Sequence, residues 1–145
     1  MITSAQKASL EHLVPLFKKY RSLFSLPTKQ QQAIDFLDKA LSSNVRIYLY
    51  FEQSKAVGFC CVYRTYSSFA FSAIDTVNDL YVDKSWRRKG IAQKLLAHVE
   101  LIAKRDDVHS IKVSTQNTNV AANCLYLKKG FVEVTEFNLF SKRVG

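Results

Sequence analysis

The residues best suited to do chemistry stand together in Asn78-Asp79-Leu80-Tyr81-Val82-Asp83-Lys84-Ser85-Trp86-Arg87-Arg88-Lys89-Gly90-Ile91-Ala92, which reads as strand, short basic loop and helix start. A helix start leaves backbone N–H groups without intrahelical partners, and the aligned peptide dipoles make that end positive. Arg87, Arg88 and Lys89 add formal charge, and Gly90 lets the backbone come close to a ligand. Together these features make a cradle for a diphosphate, although a solvated basic turn has the same composition. The other common phosphate fingerprints fail. Gly90 has no partner for G-x-G-x-x-G, and the chain holds no G-x-x-x-x-G-K-[ST]. Metal and nucleophile chemistry finds no support either. Cys60, Cys61 and Cys124 lack ligand spacing, and His12, His98 and His109 stand near no serine or cysteine motif. Reduced, buried cysteines and no bound metal are expected.

The surrounding elements follow from hydrophobic period. Leu10, Leu13, Val14 and Phe17 have helical spacing, with Ser9 as N-cap and Pro15 predicting a kink or a late start. A second helix after Pro27-Thr28 turns Ile34, Leu37 and Leu41 inward. Val45, Ile47, Leu49 and Phe51 then alternate with polar or aromatic neighbours, and with Ala56–Tyr66 they predict an antiparallel hairpin. A strand over about 73–82 leads into the basic loop and a helix over 90–105, with Ile91, Leu95, Val99 and Ile102 on one face. Residues 108–115 read as a strand and 119–129 as a helix with Gly130 at its C′ position; Phe131–Phe140 is expected to close the sheet as a last strand. A short strand at Ile2–Ser4 precedes them all. The alternation predicts one α/β domain over residues 1–145 on a mixed sheet.

Composition agrees. One domain suits 145 residues, and 48% hydrophobic content with four glycines and two prolines excludes disorder and repeats. The 21 Lys and Arg against 12 Asp and Glu give a formal charge of +9, which points to an anionic partner. From Lys84 to Lys112 eight Lys or Arg face three Asp or Glu, so this stretch alone supplies +5. A nucleic-acid partner would also suit the charge, but no helix-turn-helix, zinc-finger or RNA-binding signature accompanies it. The first residues, Met1-Ile2-Thr3-Ser4-Ala5-Gln6-Lys7, have no apolar signal core, and no apolar run is long enough for a bilayer; a cytoplasmic protein without a membrane partner is expected.

Arg87-x-x-Gly90-x-Ala92 after a strand ending Leu80-Tyr81-Val82 resembles motif A of the GNAT superfamily of acetyl-CoA-dependent N-acetyltransferases. Asn119-x-x-Ala122-x-x-Leu125-Tyr126-x-x-x-Gly130-Phe131 resembles the second conserved stretch of the same family, and the element order matches its fold. The resemblance implies a central mixed, mostly antiparallel sheet with two splayed parallel strands and flanking helices. It implies that the pantetheine arm of acetyl-CoA pairs with the Leu80-Tyr81-Val82 strand end. Arg87, Arg88, Lys89, Gly90, Ile91, Ala92 and Gln93 would hold the pyrophosphate, and Asn119 and Asn123 would contact the cofactor. Tyr126 matches the tyrosine beside the thioester sulfur, where a phenol can give a proton or hydrogen bond to the departing thiolate.

Asn78-Asp79 occupies the place of an acidic pair in relatives that acetylate polyamines, a local resemblance to the diamine/polyamine and histone acetyltransferase-like branch. Asn78 cannot act as a base, so Asp79 is left as base, ammonium anchor or structural hydrogen-bond acceptor, and a water relay stays open. The implied acceptor is a primary amine: a polyamine, a lysine side chain or lysine-containing peptide, an aminosugar or another small amine. Tyr63, Tyr66 and Asp79 are the acceptor-side candidates, with Phe24, Phe69 and Phe71 behind them. A non-catalytic acyl-CoA-binding module is the alternative that Asn78 motivates. Many relatives dimerise through C-terminal strands, so a homodimer using Val132–Arg143 is expected.

Overall fold

Five stretches of alternating or β-branched sequence become strands that lie in chain order across one sheet: β1 (Ile2–Ser4), β2 (Val45–Glu52), β3 (Lys55–Ser67), β4 (Ser72–Val82) and β5 (Ser110–Val113). The computed structural model describes residues 1–145. The first three junctions are antiparallel, and β4 pairs with β5 in parallel. Helices α1 (Leu10–Ser22), α2 (Gln30–Leu41) and α3 (Ile91–Arg105) complete a unit of residues 1–114, and α4 (Val120–Lys128) lies in a second unit, residues 115–145.

Period-two alternation divides the sheet's side chains between two layers. Ile47, Leu49, Phe59, Cys61 and Tyr81 share one face with Leu13, Val14 and Leu16 of α1 and Ala33 and Leu37 of α2. Their neighbours Tyr48, Tyr50, Gly58 and Cys60 take the other, against α3. There His98 meets Tyr48 edge-on at 4.7 Å, and Lys94 Nζ stands 5.6 Å over the Tyr50 ring. Ile91, Leu95, Leu96, Val99 and Ala103 form the buried stripe of α3. At Gly58 an added Cβ would crowd the Tyr81 carbonyl oxygen of β4 at 3.0 Å, while Ile91 Cγ2 of α3 at 3.5 Å would be in ordinary contact. The adjacent cysteines point to opposite faces, and both are buried.

The α3 face also carries a charged network. Arg64 on β3 donates from Nε and Nη2 to the two carboxylate oxygens of Asp75 on β4, at 2.7 and 2.9 Å. Its Nη1 reaches Asp106 Oδ2 at 2.9 Å, as does Nη1 of Arg46 on β2. Arg105 Nε donates to the other Asp106 oxygen at 2.9 Å. The network joins three strands to the end of α3. Arg105, Arg46 and Arg64, in that order, hold the Asp106 carboxyl well below the usual carboxylate range.

Three expectations are corrected. Helix α1 runs through Pro15 from Leu10, since the exposed proline gives up only the bond its missing N–H would make to Glu11. Ser9 stands at the N-cap position of α1 but makes no side-chain capping bond; its Oγ instead accepts the Gln6 N–H at 3.0 Å in the preceding 3₁₀ turn. Finally, Phe131–Phe140 forms no strand. Its last backbone bond is Phe131 N–H to Tyr126 O, and Val132, Val134, Phe137, Leu139 and Phe140 are exposed. Alternation marks a face that would be apolar, but only a neighbouring strand supplies the ladder that makes a strand.

Candidate functional site

The site begins where β4 outruns its neighbour. Pairing with β5 covers only Ile74↔Ser110 to Val77↔Val113, so Asn78–Val82 has β3 on one side and no strand on the other. The break coincides with a bulge. Cys61 pairs with Asp79 but Val62 pairs with Val77, which leaves Asn78 as the extra residue on β4. Such an insertion bends the strand and raises its twist.

Register settles which backbone groups face the open edge. Asp83 donates its N–H to Val57 O at 2.8 Å, so Val82 and Leu80 direct theirs away from β3 while Tyr81 directs its own toward it. Arg87 Nε takes the Val82 carbonyl at 3.0 Å. The Val82 N–H and both backbone groups of Leu80 therefore face the open edge. Such an edge can receive an extended, amide-bearing ligand as if it were another strand.

From this edge the chain turns directly into an anion cradle. Asp83 fixes the turn: one carboxylate oxygen accepts the Ser85 N–H at 3.3 Å, and the other accepts Lys19 Nζ of α1 at 2.6 Å. Lys19 holds the Asp83 carboxyl below its ordinary value. Arg88 (φ 63°) and Gly90 (φ 76°) adopt left-handed backbone. The first helical bond runs from Lys94 N–H to Gly90 O at 3.0 Å, leaving the N–H groups of Ile91, Ala92 and Gln93 without helical partners. At Gly90 the need is conformational, because an added Cβ would meet nothing within 4 Å.

The three cations of the loop have different surroundings. Arg87 is committed to Val82 and lies over the Tyr81 ring at 5.7 Å. Lys89 Nζ sits 4.4 Å over Trp86, and the exposed Arg88 makes no ion pair. The Tyr81 side chain itself is buried in the layer under α1.

Asp79 projects to that same layer. Tyr20 Oη of α1 donates to its Oδ1 at 2.8 Å and Asn78 Nδ2 to its Oδ2 at 3.0 Å. Asn78 Nδ2 also reaches Tyr63 Oη at 3.3 Å. Tyr63 and Asp79 are thus brought together. Tyr66 is not, since it pairs with Ala73, five residues beyond Cys61 and about 16 Å away at ~3.3 Å per residue. Tyr66, Phe69 and Phe71 are exposed at the far end of the β3–β4 hairpin, whereas Phe24 meets Tyr20 edge-on at 5.4 Å. Tyr20 escaped sequence reading because it shares the apolar stripe of α1 and looks like packing. The one hint was a hydroxyl on a buried face, which needs a partner.

Burial pushes the Cys60 thiol up to about 12 and raises Cys61 further, so neither supplies a thiolate near neutral pH. The same cause pushes the Tyr63 phenol up to about 12 and lowers His98 from its ordinary value.

In the second unit, Asn119 caps α4: its Oδ1 accepts the Ala122 N–H at 3.1 Å. Asn123 Nδ2 donates to Asn119 O at 2.8 Å and Gln116 O at 3.2 Å. Tyr126 is half-buried and packs edge-on against Phe131 at 5.7 Å, and Gly130 (φ 88°) ends the helix as expected. No group of three or more His, Cys, Asp or Glu side chains is arranged to hold a metal ion, and no helix is long and apolar enough to cross a membrane.

The structure thus joins an open strand edge to a left-handed glycine and a bare helix start, and comparison with known proteins identifies the family. The model of the acetyltransferase (GNAT) domain matches residues 43–133. The chain belongs to this family and is an acyltransferase. It is 29% identical over 137 residues to the uncharacterized N-acetyltransferase YhfO of Bacillus subtilis (strain 168), covering 94% of this chain and 92% of that one. The crystal structure of a probable acetyltransferase is 30% identical and superimposes with a TM-score of 0.94, covering 100% of this chain and 98% of the other. The aminoglycoside N-acetyltransferase AAC(6')-Iy in complex with CoA shares the fold, with a TM-score of 0.83 at 19% identity, covering 99% of this chain and 95% of that one.

Proposed function

We propose that residues 1–145 act as one N-acetyltransferase domain that moves an acetyl group from acetyl-CoA directly to a primary amine. The observation that carries this reading is the continuity of the open Leu80–Val82 edge with the amide-lined start of α3. These residues fit acetyl-CoA, which supplies a thioester and a diphosphate. Leu80 and Val82 would hold the amide-bearing arm along β4. The amides of Ile91, Ala92 and Gln93, with Arg88 and Lys89, would hold the diphosphate. Arg87 shapes the loop from within by holding the Val82 carbonyl. Asn119 and Asn123 are assigned to the cofactor on their motif, and the Nδ2 group that Asn119 keeps after capping is the donor it would use.

Asp79 would take the acceptor's ammonium, or its proton, and Tyr126 would give a proton or hydrogen bond to the departing sulfur. A free cysteine nucleophile is not required, in keeping with the raised thiols of Cys60 and Cys61. Polyamines, lysine side chains, aminosugars and other small amines are the acceptor classes. Aminosugars join on the fold shared with aminoglycoside acetyltransferases.

The test is acetyl-CoA consumption across such a panel. Wild type is expected to turn over at least one amine. Tyr126→Phe is expected to lower kcat by about 10²-fold, the lower end for loss of a general acid, with acetyl-CoA affinity unchanged. Binding of acetyl-CoA without turnover on any amine would favour the non-catalytic module, and no binding would remove the proposal.

The exposed apolar arm bears on the partner. Val132, Val134, Phe137, Leu139 and Phe140 stand between 64% and 95% exposed within nine residues, and clustered exposed apolar side chains mark an interaction surface. A homodimer that covers this arm is proposed. Light scattering should give twice the chain mass for the full protein and the monomer mass after removal of residues 131–145. A monomeric full-length protein at high concentration would refute it.

A further inference from the structure

The aspartates of β4 and its end recur at every fourth residue, Asp75, Asp79 and Asp83, yet only two meet a cation. Asp75 is held by Arg64 at 2.7 and 2.9 Å, and Asp83 by Lys19 at 2.6 Å. Asp79 is half-buried, makes no ion pair, and is held by neutral donors, Tyr20 on Oδ1, Asn78 on Oδ2 and the thiol of its cross-strand partner Cys61. In a chain of formal charge +9, a partly buried carboxylate that meets no cation stands out. Isolated buried charge is costly, and neutral hydrogen bonds offset only part of that cost. A carboxylate offers about four lone-pair sites, and Tyr20, Asn78 and the Cys61 thiol take three of them, so acceptor capacity remains. These donors also fix the plane in which that capacity lies.

We propose that Tyr20 is a positioning residue for the acceptor: its hydroxyl, with Asn78 as the second clamp, holds the Asp79 carboxylate so that it receives one primary ammonium as the missing cation. The inference rests on the acetyltransferase reading above and adds the residue that orients the acceptor side of the site. It also narrows the acceptor to amines that present one ammonium to the site at a time, with any second charge kept outside. Tyr20 suits the role because its ring is already fixed. It meets Phe24 edge-on at 5.4 Å, Phe59 at 5.6 Å and Tyr81 at 6.0 Å, so the hydroxyl is delivered from a packed side chain. The contact also spans from α1 to β4, 59 residues apart in sequence, and ties the helix to the strand that carries the open edge.

The experiment is a double-mutant cycle of Tyr20→Phe and Asp79→Asn. It is read as kcat/KM for butane-1,4-diamine, Nα-acetyl-lysine amide or glucosamine, whichever wild type turns over fastest, at saturating acetyl-CoA. Tyr20→Phe keeps the ring that meets Phe24, Phe59 and Tyr81 and removes the hydrogen bond to Asp79 Oδ1. It is expected to raise KM for the amine about tenfold, with kcat changed less than KM and acetyl-CoA affinity unchanged. In the Asp79→Asn background the same substitution should cost less than about twofold, because the charge it orients is gone. An equal cost in both backgrounds would show that the Tyr20 hydroxyl acts independently of Asp79 and overturn the proposal, as would no cost in wild type. Thermal melts of all four proteins identify any variant that fails to fold, and Asn78→Ala then tests the second clamp with the same readout. If wild type turns over none of the three amines, the acetyltransferase reading has failed. If it turns one over and the cycle is additive, only the positioning role has failed.

Discussion

Gly90→Glu is expected to abolish useful acetyl-CoA binding, with a loss in affinity on the order of 10³-fold by calorimetry. Two physical effects combine. At φ 76° any L side chain is strained, by about 1–2 kcal/mol, and the loop can relieve this only by turning its amides away. The carboxylate then stands at the start of α3, beside the free N–H groups of Ile91, Ala92 and Gln93, where the diphosphate is proposed to sit. Repulsion between unit charges ~4 Å apart is about 1 kcal/mol in water and about 4 kcal/mol near a protein surface. Because a tenfold change in affinity is ~1.4 kcal/mol, the repulsion and loop distortion together reach the stated range. Gly90→Ala separates the two. It carries the strain without the charge, meets no steric obstacle, and should bind acetyl-CoA much better than the glutamate variant. A glutamate variant that binds acetyl-CoA like wild type would place the diphosphate elsewhere. The favourable place of a negative side chain at a helix start offsets part of that strain in the fold.

Arg64→Met is expected to be the most damaging single change to stability, costing about 3–5 kcal/mol, because it strands a buried charge. Asp75 is 2% exposed, and both its oxygens are taken by the one guanidinium. Without Arg64 the carboxylate keeps its burial and loses its partner. The measurement is urea unfolding, where the midpoint should fall at an unchanged slope. Arg64→Met with Asp75→Leu should recover most of the loss, since an apolar pair of similar volume has no charge left to desolvate. If the single variant loses less than about 1 kcal/mol, water must reach Asp75 and the network is not structural. Acid adds a second readout. The folded state holds Asp106 below the ordinary carboxylate range, so its contribution is complete above pH ~4 and lost as pH falls through the folded value. Removing Arg64, one of its three donors, should make that acid-dependent part smaller.

The strands and helices of the first 130 residues were legible because each carries its own period. Ile47 and Leu49 alternate with Tyr48 and Tyr50, and Ile91, Leu95 and Val99 repeat at helical spacing. The proposed anion cradle was legible for a different reason: its chemistry is local. The amides, Gly90 and the cations lie within seven residues of one another, so sequence order is nearly spatial order. The last strand was misread because Val132, Val134, Phe137 and Leu139 show a face without showing a partner. The proposed acceptor side was only half legible. Asp79 was visible by its place beside Asn78, but Tyr20 lies 59 residues away on another element, and Tyr66, which looked equivalent to Tyr63, stands at the far end of a long hairpin.

Sequence by itself determined the family and the element order as far as α4, and it pointed to the proposed diphosphate cradle, all of which depend on neighbours along the chain. Tertiary structure decided which strand edge is open, which cation each aspartate meets, and that Asp79 meets none. Those outcomes depend on a one-residue bulge at Asn78 and on contacts between distant elements, because register and packing are properties of paired strands and not of either strand alone.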